Sequence, residues 1–107
     1  MTARWLVLSS VLLCAAAQAQ TKPTLDMASD YGCLACHGLV HKQIGPGFAQ
    51  VAGRYRQDPE AAQRLAAKIQ HGSVGVWGRV IMPRQTRVTD ADAATLARWV
   101  LAQPPQP

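Results

Sequence analysis

Large side chains are scarce in this chain: of 107 residues, one is phenylalanine, two are tyrosine and three are tryptophan. A core built from so little would be thin, and small domains of this kind lean on a disulfide, a metal or a cofactor. Acidic residues are also few, six against eleven lysines and arginines, for a formal charge of +5. The cations Lys42, Arg54, Arg56, Arg64, Lys68, Arg79, Arg84, Arg87 and Arg98 nevertheless stand singly. Such scatter describes a solvated surface and not a phosphate-binding stripe, so nucleic acid is not an expected partner. No stretch carries a convincing strand period and no internal repeat occurs, which argues against a fold built on sheets. The length admits one small domain.

Also missing is an apolar run of the about 20 residues that a membrane-spanning helix needs. The longest run, Trp5 to Ala17, is interrupted by Ser9 and Ser10, follows Arg4 and ends in Ala17-Gln18-Ala19. That is the layout of a cleaved export signal over residues 1–19, leaving a domain of residues 20–107 with no stable membrane insertion. A retained anchor would need a longer run, and a lipid on Cys14 would need a small residue where Leu13 stands. Removing the signal leaves Cys33 and Cys36 as the remaining cysteines. The expected compartment is the periplasm, where a free thiol would be exposed to oxidation.

Those two cysteines belong to Cys33-Leu34-Ala35-Cys36-His37. C-x-x-C-H is the attachment signature of a c-type haem: two thiols form thioethers with the haem vinyl groups and the adjacent imidazole binds the iron. Zinc would require two more ligands, and His41 and His71 do not form a second pair at usable spacing. A dithiol redox motif would sit among alternating strands and helices, and no strands are expected here.

His37 is therefore the expected proximal ligand. Its second ring nitrogen needs an acceptor, which a carbonyl in Gly45-Pro46-Gly47 can supply, Pro46 having no amide hydrogen of its own. Candidates for the other axial position are Met82, in Ile81-Met82-Pro83, and His71, which would give bis-histidine ligation. Most methionines are packing residues, but a haem fixed at Cys33–His37 and a glycine-rich approach favour Met82. Met27, six positions before Cys33, has difficulty reaching the opposite haem face, and His41 reads as a surface residue. Trp77 can donate its indole N–H to a haem propionate, with Lys68 as a second propionate partner.

Helical spacing predicts a short helix from Thr24 to Gly32 with Leu25 and Ala28 on its apolar side, and a second over Phe48 to Tyr55. A third is capped by Asp58, starts at Pro59, presents Ala62, Leu65, Ala66 and Ile69, and stops at Gly72. A fourth opens at Thr89-Asp90-Ala91-Asp92 and runs to about Gln103, burying Leu96, Trp99 and Val100. Residues 38–47 and 72–83 are expected to be irregular, the second a tight loop rich in glycine.

Read together, Gly32-Cys33-x-x-Cys36-His37, Ile44-Gly45-Pro46-x-Phe48, Val51-Ala52, Gly72-Ser73-x-Gly75-Val76-Trp77-Gly78, Met82-Pro83 and Leu96-Ala97-Arg98-Trp99-Val100-Leu101 resemble the short bacterial class I monohaem cytochromes c, the cytochrome c-551 group. The likeness covers essentially all of the chain beyond the signal. It implies an all-α fold of four to five short helices wrapped around one covalently bound haem, with the N- and C-terminal helices crossing. It further implies axial ligation by His37 and Met82, a hydrogen bond from His37 to Pro46, and Trp77 and Lys68 facing the propionates. The chain departs from the group at Arg84, where a second proline is common, and at Gln85, where an asparagine often contacts the methionine sulfur; both changes bear on the reduction potential.

The function implied is that of a periplasmic single-electron carrier, a monomer that meets donor and acceptor proteins transiently at an exposed haem edge and is not an enzyme. Two other readings share the motif. One is a dedicated cytochrome subunit of a larger dehydrogenase or reductase; the other is a five-coordinate gas-binding or peroxidase-like haem protein in which Met82 only packs.

Overall fold

The apolar spacing of Phe48, Val51 and Ala52 produces a helix whose inner face is buried. A computed structural model describes residues 24–104. The export signal expected over residues 1–19 lies outside them. In chain order the elements are α1 (Thr24–Asp30), a 3-10 turn (Cys33–Ala35), α2 (Phe48–Tyr55), α3 (Ala61–His71), the strands β1 (Ser73–Gly75) and β2 (Gly78–Met82), and α4 (Asp90–Leu101). Helix α4 is the hub: α1, α2 and α3 all pack against it.

Each boundary has a local cause. Gly32, at φ 79°, ends the run from α1 and turns the chain into the Cys33–Ala35 turn. Asp58 Oδ1 accepts the Glu60 N–H at 2.9 Å, so its cap closes a turn before the helix proper, which begins at Ala61 and not at Pro59. Thr89 Oγ1 accepts the Asp92 N–H at 3.1 Å, a cap that stabilises a helix start by about 1 kcal/mol. Helix α4 ends two residues before Gln103, where the Ala102 N–H bonds to the Arg98 carbonyl and the Gln103 side chain takes that of Trp99. Tyr31 ties α1 to α4 through a 2.5 Å bond from its hydroxyl to Asp92. That bond to a carboxylate, with burial second, raises the phenol above its ordinary pKa.

Two expectations need correction. Leu25 is 42% exposed and does not belong to the inner face of α1, which instead buries Ala28 and packs Met27 against the core, with Tyr31 just beyond the helix packed there too. Residues 73–82 are not an irregular loop but an antiparallel hairpin with Ser73 opposite Met82 and Gly75 opposite Gly78. A register irregularity between Ser73 and Gly75, in a strand of three residues, leaves too few positions for an alternating pattern to emerge. Met82 therefore sits at the end of a strand.

The buried core consists of small residues and a few larger ones. One cluster gathers Ala28, Val88, Ala93 and Leu96; another gathers Phe48, Val51 and Val100. Cys33 and Trp99 pack against both. No large side chain among the described residues is fully buried. Fully burying one large aliphatic or aromatic side chain contributes roughly 1.5–3 kcal/mol, so each cluster alone is a weak core. A third body between them is needed.

Candidate functional site

Between the two clusters lies a cavity of about 340 Å³ lined by Cys33, Cys36 and His37 from the 3-10 turn and its end, by Phe48 and Tyr55 from α2, by Met82 from β2, and by Leu96, Trp99 and Val100 from α4. The turn is closed by bonds from the Cys36 and His37 N–H groups to the Cys33 carbonyl, at 3.2 and 3.0 Å. One short turn thus delivers both thiols and the imidazole to one space. The two cysteines form no disulfide, and burial raises the pKa of the Cys33 thiol. Among the described residues no group of three or more His, Cys, Asp or Glu side chains is placed to hold a metal ion.

His37 is held on several sides. Its Nδ1 lies 2.7 Å from the Pro46 carbonyl oxygen. A carbonyl only accepts, so the proton belongs on Nδ1 and the lone pair on Nε2. Phe48 stacks on the ring, centroids 5.0 Å apart and 20° from parallel, and itself meets Trp99 edge-on at 5.2 Å. Gly45 backs the imidazole so closely that a Cβ there would come within 2.8 Å of Cε1. Gly45→Ala is therefore expected to displace the ring and break its bond to Pro46. Overpacking of this kind costs about 1–3 kcal/mol, which a lower denaturant midpoint and a perturbed haem spectrum would report; an unchanged midpoint would contradict the close approach.

The remaining candidates separate by position. Met82 lines the cavity, whereas Met27 packs in the core cluster of α1. His41 and His71 are exposed and do not line it. Gln85 lines it too, but its Nε2 donates to the Pro83 carbonyl at 3.0 Å. Lys68 and Trp77 are on the wall, Lys68 donating to Ser73 Oγ at 3.3 Å. Lys42 is the other lysine there, and among the described residues no carboxylate lines the space. Apolar walls, two thiols, an oriented imidazole and cations without a facing acid fit a flat, largely apolar cofactor with acidic substituents.

Sequence reasoning missed the contacts around these residues. Arg54 lies over Trp77, with its guanidinium carbon 4.8 Å from the ring centroid, and Phe48, the first residue of the helix expected over Phe48 to Tyr55, stacks on His37. Glycines flank Val76-Trp77, but neither central residue is of a type that a two-residue hairpin turn favours, so the chain carries no readable turn signal there.

Residues 25–103 match the family model described as Cytochrome c. The chain is 42% identical over 93 residues to cytochrome c-552 of Nitrosomonas europaea, covering 87% of this chain and 86% of that protein. It is 49% identical over 77 residues to cytochrome c-552 of Hydrogenobacter thermophilus, covering 72% and 78%, and 44% identical over 72 residues to cytochrome c-551 of Pseudomonas aeruginosa, covering 67% and 68%. The crystal structure of wild-type Nitrosomonas europaea cytochrome c552 superposes with a TM-score of 0.73 at 42% identity, over 75% of this chain and 99% of that one.

Proposed function

This chain belongs to the cytochrome c family, whose cofactor is one covalently bound c-type haem, and from that premise we propose that it is a periplasmic single-electron carrier with His/Met axial ligation. The observation that carries the reading is the convergence of Cys33, Cys36, His37 and Met82 on one apolar cavity. Cys33 and Cys36 form the thioethers. His37 would hold the iron from Nε2 while Pro46 fixes Nδ1, and Met82 would be the second protein ligand. When bound, the haem supplies one-electron chemistry between Fe(II) and Fe(III).

The chain's own residues govern that exchange. A thioether at Met82 favours the reduced iron more than a second imidazole would, and the apolar wall disfavours the additional charge of the oxidised state. The bond from His37 to Pro46 keeps the imidazole in one orientation in both states, so little rearrangement accompanies the electron. Trp77 and Lys68, both on the cavity wall, would hold the propionates. No nucleophile or general base is assigned, and the chain acts as a carrier and not as a catalyst.

Its donors and acceptors are redox proteins that dock briefly at an exposed haem edge, through interfaces small enough for fast release. The domain works as a monomer, exported by the signal at residues 1–19. Ile44, Val74, Val80 and Ile81 line the cavity yet remain 50–69% exposed, and this apolar rim also favours a second reading, a dedicated subunit of a larger dehydrogenase or reductase.

A periplasmic extract separates these outcomes. The carrier reading expects a covalently haem-stained band of the processed chain, a reversible redox-difference spectrum, and a monomer on sizing. Constant co-purification with a catalytic subunit supports the second reading. A wild-type protein that lacks sulfur-to-iron charge transfer and binds carbon monoxide readily overturns both.

A further inference from the structure

Helix α2 reaches two parts of the site. At its first residue Phe48 stacks on His37; in its last turn Arg54 meets the hairpin. The guanidinium lies over the Trp77 ring, and Nη1 donates to the Val76 carbonyl at 3.0 Å. Val76 and Trp77 form the turn between Gly75 and Gly78, a paired couple with φ of 93° and 98°. A two-residue turn between glycines in the left-handed region has little stiffness of its own. Trp77 is 36% exposed, and its indole N–H makes no hydrogen bond to any described residue. Arg54 pairs with no carboxylate among the described residues, so its charge is left for the ring.

We infer that Arg54 is a positioning residue for Trp77, clamping the hairpin turn to α2 so that the indole keeps its place on the wall of the haem cavity. The clamp has two parts that only a guanidinium supplies together. One N–H fixes the turn through the Val76 carbonyl, and the flat cation covers the ring face, where the aromatic quadrupole attracts it. A cation on the ring face also draws electron density from the indole and makes its N–H a better donor. Trp77 is thereby held as a propionate partner, and this part of the inference rests on the carrier reading above. The same helix then sets the imidazole at one end and the hairpin at the other, so His37 and the strand carrying Met82 share one support.

The test uses the haem-loaded protein and the variants Arg54→Ala, Arg54→Lys and Arg54→Gln. Arg54 is exposed, so all three are expected to fold. Hydrogen exchange of the Trp77 indole N–H and of the amides of residues 75–78 is read by NMR in the reduced state. Removing a cation–π contact and an exposed hydrogen bond should speed exchange by about tenfold in Arg54→Ala. Arg54→Lys, which keeps the cation but not the fork, should restore part of the protection. The pH profile of the reduction potential supplies a second readout. A carboxylate that loses a hydrogen bond to its charged form titrates at higher pH, so, with Trp77 released, the propionate-linked step should move upward in Arg54→Ala and Arg54→Gln.

Wild-type exchange in Arg54→Ala would overturn the inference. It would also be overturned if the pH profile moved in Arg54→Gln while exchange stayed at the wild-type rate, because Arg54 would then act by charge through space and not by holding the turn. Failure of the carrier reading would show separately, as missing covalent haem or sulfur ligation in the wild type, while the exchange comparison still tests the clamp.

Discussion

Replacing Cys33 and Cys36 together with serine is expected to abolish covalent haem and, with it, the native fold. Haem staining on a denaturing gel and far-ultraviolet circular dichroism give the two readouts. The chain cannot compensate because its buried residues form two small clusters, and residues of both line the cavity. Domains of this size are stable by only about 5–15 kcal/mol, the remainder of much larger opposing terms. Losing the body that joins the clusters leaves Phe48, Val51, Leu65, Leu96 and Val100 facing a solvated space. Each single variant, with one thioether left, should retain some haem and an intermediate stability. Covalently attached haem in the double variant would refute the attachment sites; a haem-free chain with native helix content and a cooperative melt would refute the structural role of the cofactor.

Met82→Ala should remove the sulfur-to-iron charge-transfer band, open the iron to carbon monoxide and lower the reduction potential. Axial ligands and their surroundings move haem potentials across about 0.8 V, so a fall on the order of 0.2 V is a reasonable scale. Met27→Leu is the control. Met27 packs beside Ala28 in the core cluster and does not line the cavity, and a methionine-to-leucine exchange conserves volume. It should keep both the band and the potential. Loss of the band in Met27→Leu with retention in Met82→Ala would reverse the ligand assignment. A wild-type spectrum without the band that neither variant alters would mean that neither sulfur binds, and carbon monoxide binding would then separate a five-coordinate iron from bis-histidine ligation.

Helices were legible where their signals were local. The apolar steps of Phe48 to Tyr55 matched α2 at both ends, and Thr89 marked the start of α4 through a bond to its own third residue onward, Asp92. The hairpin was not legible because three-residue β1 cannot display a period and its residues are held by pairing with β2. Leu25 misled for a related reason. On a seven-residue helix the buried side is chosen by the neighbour, and α4 takes Ala28, with Met27 and Tyr31 packed beside it.

By itself the sequence determined the chemistry that depends on spacing along the chain. Cys33, Cys36 and His37 are close enough that one turn presents all three, whatever the remaining fold does, and Gly45-Pro46-Gly47 follows within reach of the imidazole. Tertiary structure alone decided how these groups are held. Phe48 and Gly45 confine the His37 ring, and Arg54 meets a tryptophan 23 positions later in the chain. Stacking and cation–π contacts are short-ranged and depend on orientation, so they exist only after α2, the hairpin and α4 have packed. No spacing rule along one chain encodes that encounter.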